Sequence, residues 1–151
     1  MQKLGSGGFY EVLDEVTVSV HEKSARRLDI PREARDDDDE PITITCRFLI
    51  KPDFVAVRIA LRAESEHSNV TSDVAVSYEW VSPLEYDEPD LNEFIAMEAV
   101  PRCLTAASTL FAEAAVSVGE EPELHAVRIE KEMIEALSER PVKPNSAGNR
   151  G

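Results

Sequence analysis

The segment ITITCRFLIKPDFVAVRIALR, residues 42–62, decides the fold. Ile42, Ile44, Cys46, Phe48 and Ile50 alternate with Thr43, Thr45 and Arg47, and Val55, Val57, Ile59 and Leu61 alternate with Ala56, Arg58, Ala60 and Arg62. A period of two sends successive side chains to opposite faces of a strand, so each run has one apolar face. Lys51, Pro52 and Asp53 between the runs supply turn chemistry, because proline presets φ and has no ladder donor. The pair predicts a hairpin.

The same alternation recurs on both sides. Upstream, Val16, Val18 and Val20 separated by Thr17 and Ser19 predict a first strand within Glu11–His21. Downstream, Val74, Val76, Tyr78 and Trp80 against Asp73, Ser77 and Glu79 predict a fourth, ending near Val81. Four strands joined in sequence imply an antiparallel meander with one buried face. Residues 26–40, between the first two strands, lose periodicity and close on Asp36, Asp37, Asp38, Asp39 and Glu40. A like-charge block repels itself and is expected as a solvated, mobile loop.

After Trp80 the chain changes character. Pro83 and Pro89 bracket Glu85, Asp87 and Glu88 in a loop. Asp90 and Glu93 have the spacing of a helix-capping pair, and Leu91, Phe94 and Ile95 give a short helix its apolar side. Pro101 is expected to interrupt it, since an interior proline removes a hydrogen bond and clashes with the preceding turn. Leu104, Ala107, Phe111, Ala114, Ala115 and Val118 then mark one stripe of a longer helix stopping near Gly119. Pro122 to Ile129 reads as a connector, and Ile129, Met133 and Leu137 as a last amphipathic helix. The fold class is α+β, one domain over residues 1–140, with residues 141–151 a disordered tail rich in Pro, Ser, Gly and Asn.

Composition narrows the function. The 151 residues are 42% hydrophobic and 30% charged, the profile of a globular domain. No apolar run approaches the roughly 20 residues of a membrane span, and the first ten residues carry no signal-peptide h-region, so a cytoplasmic location without membrane insertion is expected. The formal net charge of −14 argues against nucleic acid, whose phosphates need lysine and arginine, and favours a basic partner. Cys46 and Cys103 lie too far apart for a metal pattern, and His21, His67 and His125 are isolated. Gly5, Gly7 and Gly8 lack the lysine and hydroxyl of a phosphate loop. Neither a catalytic constellation nor a cofactor or metal site is expected, and the chain is read as a non-enzyme.

Tyr78, Trp80, Val81, Leu84, Tyr86, Phe94 and Ile95 place aromatic and apolar groups from strand end through loop into helix. Core packing accounts for such a run, and so does a groove between sheet and helix that holds extended nonnative peptide. Together with the element order and the connector Pro122-Glu123-Leu124, the pattern resembles the SecB-like chaperones of protein export and toxin–antitoxin systems over about Tyr10–Glu139. The resemblance implies an ATP-independent holdase working as a homotetramer, a dimer of dimers, with unfolded clients in the Tyr78–Ile95 groove. It implies an acidic sheet surface that docks the SecA translocase, for which Asp73, Glu79 and the block Asp36–Glu40 are the candidates, or else a service to an antitoxin. It also implies that the stripe of Leu104, Ala107, Phe111 and Ala114 packs between subunits. The competing reading is an acidic interaction protein, an inhibitor or nucleic-acid mimic, that occupies a basic partner.

Overall fold

The structure, a computed structural model, describes residues 2–4, 6–30, 42–120 and 126–143. A three-residue strand β1 (Gln2–Leu4) opens the chain and a 3-10 turn covers Ser6–Tyr10. Four long strands follow: β2 (Leu13–Arg27), β3 (Ile42–Lys51), β4 (Phe54–Glu64) and β5 (Ser68–Trp80). A short β6 (Leu84–Tyr86) pairs parallel with β1. Next come α1 (Glu88–Phe94), a π-helical turn (Ile95–Ala99), α2 (Val100–Ser117) and α3 (Ala126–Glu139). This is the α+β arrangement that the sequence predicts: a four-stranded antiparallel sheet, then helices.

The sheet runs β2-β5-β4-β3. The strands β3, β4 and β5 are consecutive hairpins, with Lys51 opposite Phe54 across the two-residue Pro52-Asp53 turn. The first long strand lies beyond β5, antiparallel to it, and not beside β3, so the order is that of a Greek key and corrects the expected meander. It also runs further than its valines suggest, through Arg27. A bulge between Val20 and Glu22 shifts the side-chain alternation by one, so that Lys23, Ala25 and Arg27 continue the face begun by Val16, Val18 and Val20. Likewise β5 starts at Ser68, five residues before its alternation becomes visible, because its first half buries hydroxyls. Ser72 Oγ donates to the Ala107 carbonyl at 2.8 Å and Ser68 Oγ to Glu120 Oε1 at 2.9 Å.

The core forms where α2 lies on the two central strands. Val55, Val57, Ile59 and Leu61 of β4 and Val74, Val76 and Tyr78 of β5 are buried beneath Cys103, Leu104, Ala107 and Phe111. Full burial of such side chains is worth about 1.5–3 kcal/mol each before conformational entropy is counted.

Two expectations about the helices are corrected. Pro101 does not break the chain into a short and a long helix, for Glu88–Ser117 runs on as one helical segment of 30 residues. The turn before Pro101 widens to π geometry, where the Val100 N–H reaches back to the Ile95 carbonyl, and this wider turn accommodates the ring and the missing donor. The segment is also long and apolar enough to cross a membrane by length and composition, but here its apolar stripe lies on the sheet. Asp90 is not the cap, because Pro89, with its helical φ and no N–H, suits the first turn and brings the start forward to Glu88, leaving Asp87 as N-cap.

The acidic block Asp36–Glu40 and the connector Pro122-Glu123-Leu124 lie outside the described residues. So does the tail beyond Lys143. The tail's first residues are tied down, since Asn92 receives the Val142 N–H at 2.7 Å and donates to its carbonyl at 2.8 Å.

The long helix ends on Gly119 as the sequence predicts. Gly119 takes φ +78°, with its N–H on the Val116 carbonyl and the Glu120 N–H on the Ala115 carbonyl, the paired bonds of a Schellman cap. A Cβ there meets only Arg27 Nη1 at 3.5 Å, so backbone conformation sets the cost of substitution. Gly119→Ala is expected to destabilise the fold by about 1 kcal/mol, read as a lower urea midpoint at unchanged slope.

Candidate functional site

The run from Tyr78 to Ile95 folds into the interior. Tyr78, Trp80, Leu84, Phe94 and Ile95 are buried and Tyr86 is half-buried, while Val81 alone of the seven is well exposed, at 64%. The space between sheet and helix is filled by Phe9 from the 3-10 turn. Its ring centroid lies 5.4 Å from that of Trp80, 5.0 Å from Phe94 and 6.1 Å from Tyr86, and Tyr78 meets Phe94 edge-on at 5.0 Å. Trp80 Nε1 donates to Tyr86 Oη at 2.7 Å, which in turn donates to the Lys51 carbonyl. The expected client groove is therefore an aromatic core, closed by a residue that no pattern in the sequence places there. Parallel pairing of β1 with β6 brings Phe9 in, and a three-residue strand leaves no periodicity to find.

At the rim of this cluster Glu98 accepts from Tyr78 Oη at 2.7 Å and from Tyr10 Oη at 3.4 Å, and pairs with Arg102 one turn on. Partial burial pushes the Glu98 carboxyl up, but the bonds from Arg102 and Tyr78 outweigh it and leave the group below its ordinary range. Burial first, then the Glu98 bond, raises the Tyr78 phenol far above its usual value. Around neutral pH the carboxylate stays ionised and the phenol protonated, which makes a fixed brace. Burial also pushes the Cys46 thiol up to about 11 and the Cys103 thiol up to about 12, so both are protonated at neutral pH and lack thiolate reactivity.

The remaining expected residues are dispersed. Leu104, Ala107, Phe111 and Ala114 are buried against the chain's own sheet, so the stripe assigned to a subunit interface is intramolecular core instead. Of the acidic candidates, Asp73 is not free to dock a partner. Arg58 Nε and Nη2 each bond one of its oxygens at 2.8 Å on the open face of the sheet. Glu79 is exposed at the end of β5, directly across from Glu15.

Two surfaces emerge that the sequence pattern did not single out. The helix covers the central strands and leaves the edge strands only partly covered. On the helix side of β2, Val18 and Val20 are 50% and 54% exposed, between the Glu98–Arg102 pair and the Lys23–Glu113 pair. At the other edge Ile44, Cys46 and Phe48 of β3 are half-buried. Among the described residues neither outer edge is paired with another strand, so each apolar shoulder runs beside a row of backbone donors and acceptors. On the opposite face a shallow basin of about 250 Å³ lies among Arg47, Arg58 and Arg62, floored by Thr45 and Ala60.

No family model, no curated protein and no solved structure matches the chain.

Phe9→Ala is expected to destabilise the fold by about 3–5 kcal/mol, the usual cost of emptying a buried aromatic site, as measured by chemical denaturation. The Asp73 clamp sets a pH dependence. The bonds from Arg58, reinforced by nearby positive charge, hold the Asp73 carboxyl below its unfolded value despite some burial. Its stabilising contribution is then complete above the unfolded carboxylate pKa of about 4 and fades as pH falls through the lower folded value. Wild type should exceed Asp73→Asn in stability at pH 7, and the two should converge in acid. A gap that persists or widens in acid would contradict this assignment.

Proposed function

We infer that the chain is an ATP-independent holdase that binds nonnative polypeptide along its sheet edges, rather than between sheet and helix. The observation that carries this reading is the incomplete cover of the sheet. At β2, a strand of fifteen residues, an exposed pair of valines lies beside an outer edge that no other described strand pairs. An extended segment added there gains main-chain hydrogen bonds from the edge and buries alternate apolar side chains on the shoulder, a mode of recognition that is blind to detailed sequence. Unfolded chains supply such segments, whereas a folded partner seldom does. The element order, which resembles that of the SecB-like chaperones, supports the same reading, with export clients or an unstable antitoxin as the settings it implies. A net charge of −14 favours basic unfolded stretches and keeps the loaded complex soluble by self-repulsion.

No nucleotide is required in this scheme. Binding rests on burial and backbone pairing, and release follows when the client folds or is handed on. Val18→Lys combined with Val20→Lys tests it in an assay of aggregation of a chemically unfolded client without ATP, at high ionic strength. Suppression should fall severalfold while the variant's own stability changes by no more than about 1 kcal/mol, both sites being half exposed already. Unaltered suppression by the variant would sink the edge assignment, and a wild-type protein that suppresses nothing would sink the holdase reading itself.

A further inference from the structure

The described residues of the sheet's open face carry like charges in direct opposition across its ladders. Residues directly opposed in a ladder share a face, and like charges so placed are destabilising. Glu15 stands opposite Glu79, and Glu22 opposite Asp73, on the β2–β5 half. Arg47 stands opposite Arg58, with Arg62 two positions beyond Ala60, on the β3–β4 half. Asp73 clamps Arg58 and also feels the charge of Arg47, while neither Arg47 nor Arg62 makes a close ion pair among the described residues. On the two middle strands Ala56, Ala60 and Ala75 are small and surround the Arg58–Asp73 clamp. One face is thus acidic on one side and basic on the other, with a neutralised pair between them.

We propose that this face is the contact surface of a homodimer, two copies stacked face to face about a two-fold axis parallel to the strands, with Glu22 of each entering the arginine basin of the other. The register selects the axis. A two-fold along the strands between β4 and β5 exchanges β2 with β3 and keeps each residue at its own level. Glu22 is level with Asp73, Ala60 and Thr45, so it falls over Thr45 of the second copy, flanked by Arg47 and Arg62. Glu15, level with Glu79, Phe54 and Lys51, falls over Lys51 in the same operation. An axis across the strands would stack arginine on arginine, and charge excludes it.

The local geometry is prepared for this contact. Ser24 Oγ donates to Glu22 Oε2 at 2.7 Å, holding the carboxylate out on the open face, and Glu22 is exposed. Four strands about 4.8 Å apart over roughly ten residues present on the order of 600 Å² per copy, at the lower end of a specific interface. Ala56, Ala60 and Ala75 around the Arg58–Asp73 clamp leave room for the long glutamate and arginine side chains to meet across the contact. An isologous contact of this kind satisfies both halves at once. A nucleic acid or an acidic peptide would satisfy only the basic half, against a chain of net charge −14.

The test is complementation in the full chain. Wild type should sediment as a dimer at micromolar concentration. Glu22→Arg alone, and Arg47→Glu with Arg62→Glu, should each weaken dimerisation about tenfold or more, since each sets like charges against the basin. An equimolar mixture of the two variants should recover a dimer, because in the mixed pair every acidic group again meets a basic one. A folding defect does not repair itself on mixing, so recovery separates the interface from lost stability. A monomeric wild type, variants that dimerise as wild type does, or a mixture that stays monomeric would each overturn the proposal. A polyglutamate peptide that binds the wild-type basin without competing with self-association would also overturn it. None of these outcomes depends on whether the protein suppresses aggregation.

Discussion

The seating of α2 on the centre of the sheet governs the rest of the molecule. Cys103 and Ala107 are small enough to let the helix backbone come down on β5. There the Ala107 carbonyl, already engaged in its helix, uses its second lone pair to accept from Ser72 Oγ at 2.8 Å, while Cys103 Sγ donates to the Val74 carbonyl at 3.2 Å. These side chains sit in the dry core, so sliding the helix sideways would strand a buried hydroxyl as well as expose valines. With one helix so placed over β5 and β4, the edge strands necessarily remain partly bare. The Greek-key order then decides which strands those are: the bulged β2 on one side and the regular β3 on the other.

Charge is arranged around that seat with the same economy. The helix side of the sheet keeps its ion pairs at the margins, with Lys23 to Glu113 joining β2 to α2 and Arg102 to Glu98 one turn apart on the helix, so the apolar shoulder of β2 is framed but not crossed. The open face concentrates its charge in register. The net charge of −14 describes the whole chain but not this face, where arginines gather on two adjacent strands. A sum over the sequence cannot show a sign reversal created by strand pairing. For that reason Asp73, acidic in sequence, belongs structurally to a basic neighbourhood.

Much of the architecture was legible, and what was not had particular causes. The β3–β4 hairpin could be read because both strands bury one face and meet across a proline turn. The limits of β2 and β5 could not, because a bulge at His21 inverts the alternation and because Ser68 and Ser72 look polar in sequence while being satisfied by Glu120 and Ala107. Pro101 read as a helix break because the sequence does not announce a π-helical turn. The aromatic run reads in sequence as core packing or as a groove, and which of the two it forms depends on what fills it. Here Phe9, almost seventy residues from Tyr78, decides the matter. Charges on the open face appeared in sequence as scattered arginines, since only the ladder brings Arg47 beside Arg58.

The two faces of the sheet can serve different partners without interference. Side chains that alternate along a strand are chemically independent, so β2 presents Val18 and Val20 to the helix side and Glu15 and Glu22 to the other. In the proposed dimer, stacking through the open face leaves the valine shoulder and the outer strand edge uncovered, in two copies held back to back. An extended chain engaging both copies gains by effective concentration what a single shallow shoulder lacks in affinity. The bulge at His21 lies at the end of the valine pair, and by twisting the strand it turns Glu22 onto the charged face just where the apolar one stops. A single irregularity in β2 thus separates the surface suited to unfolded chains from the one suited to a second copy.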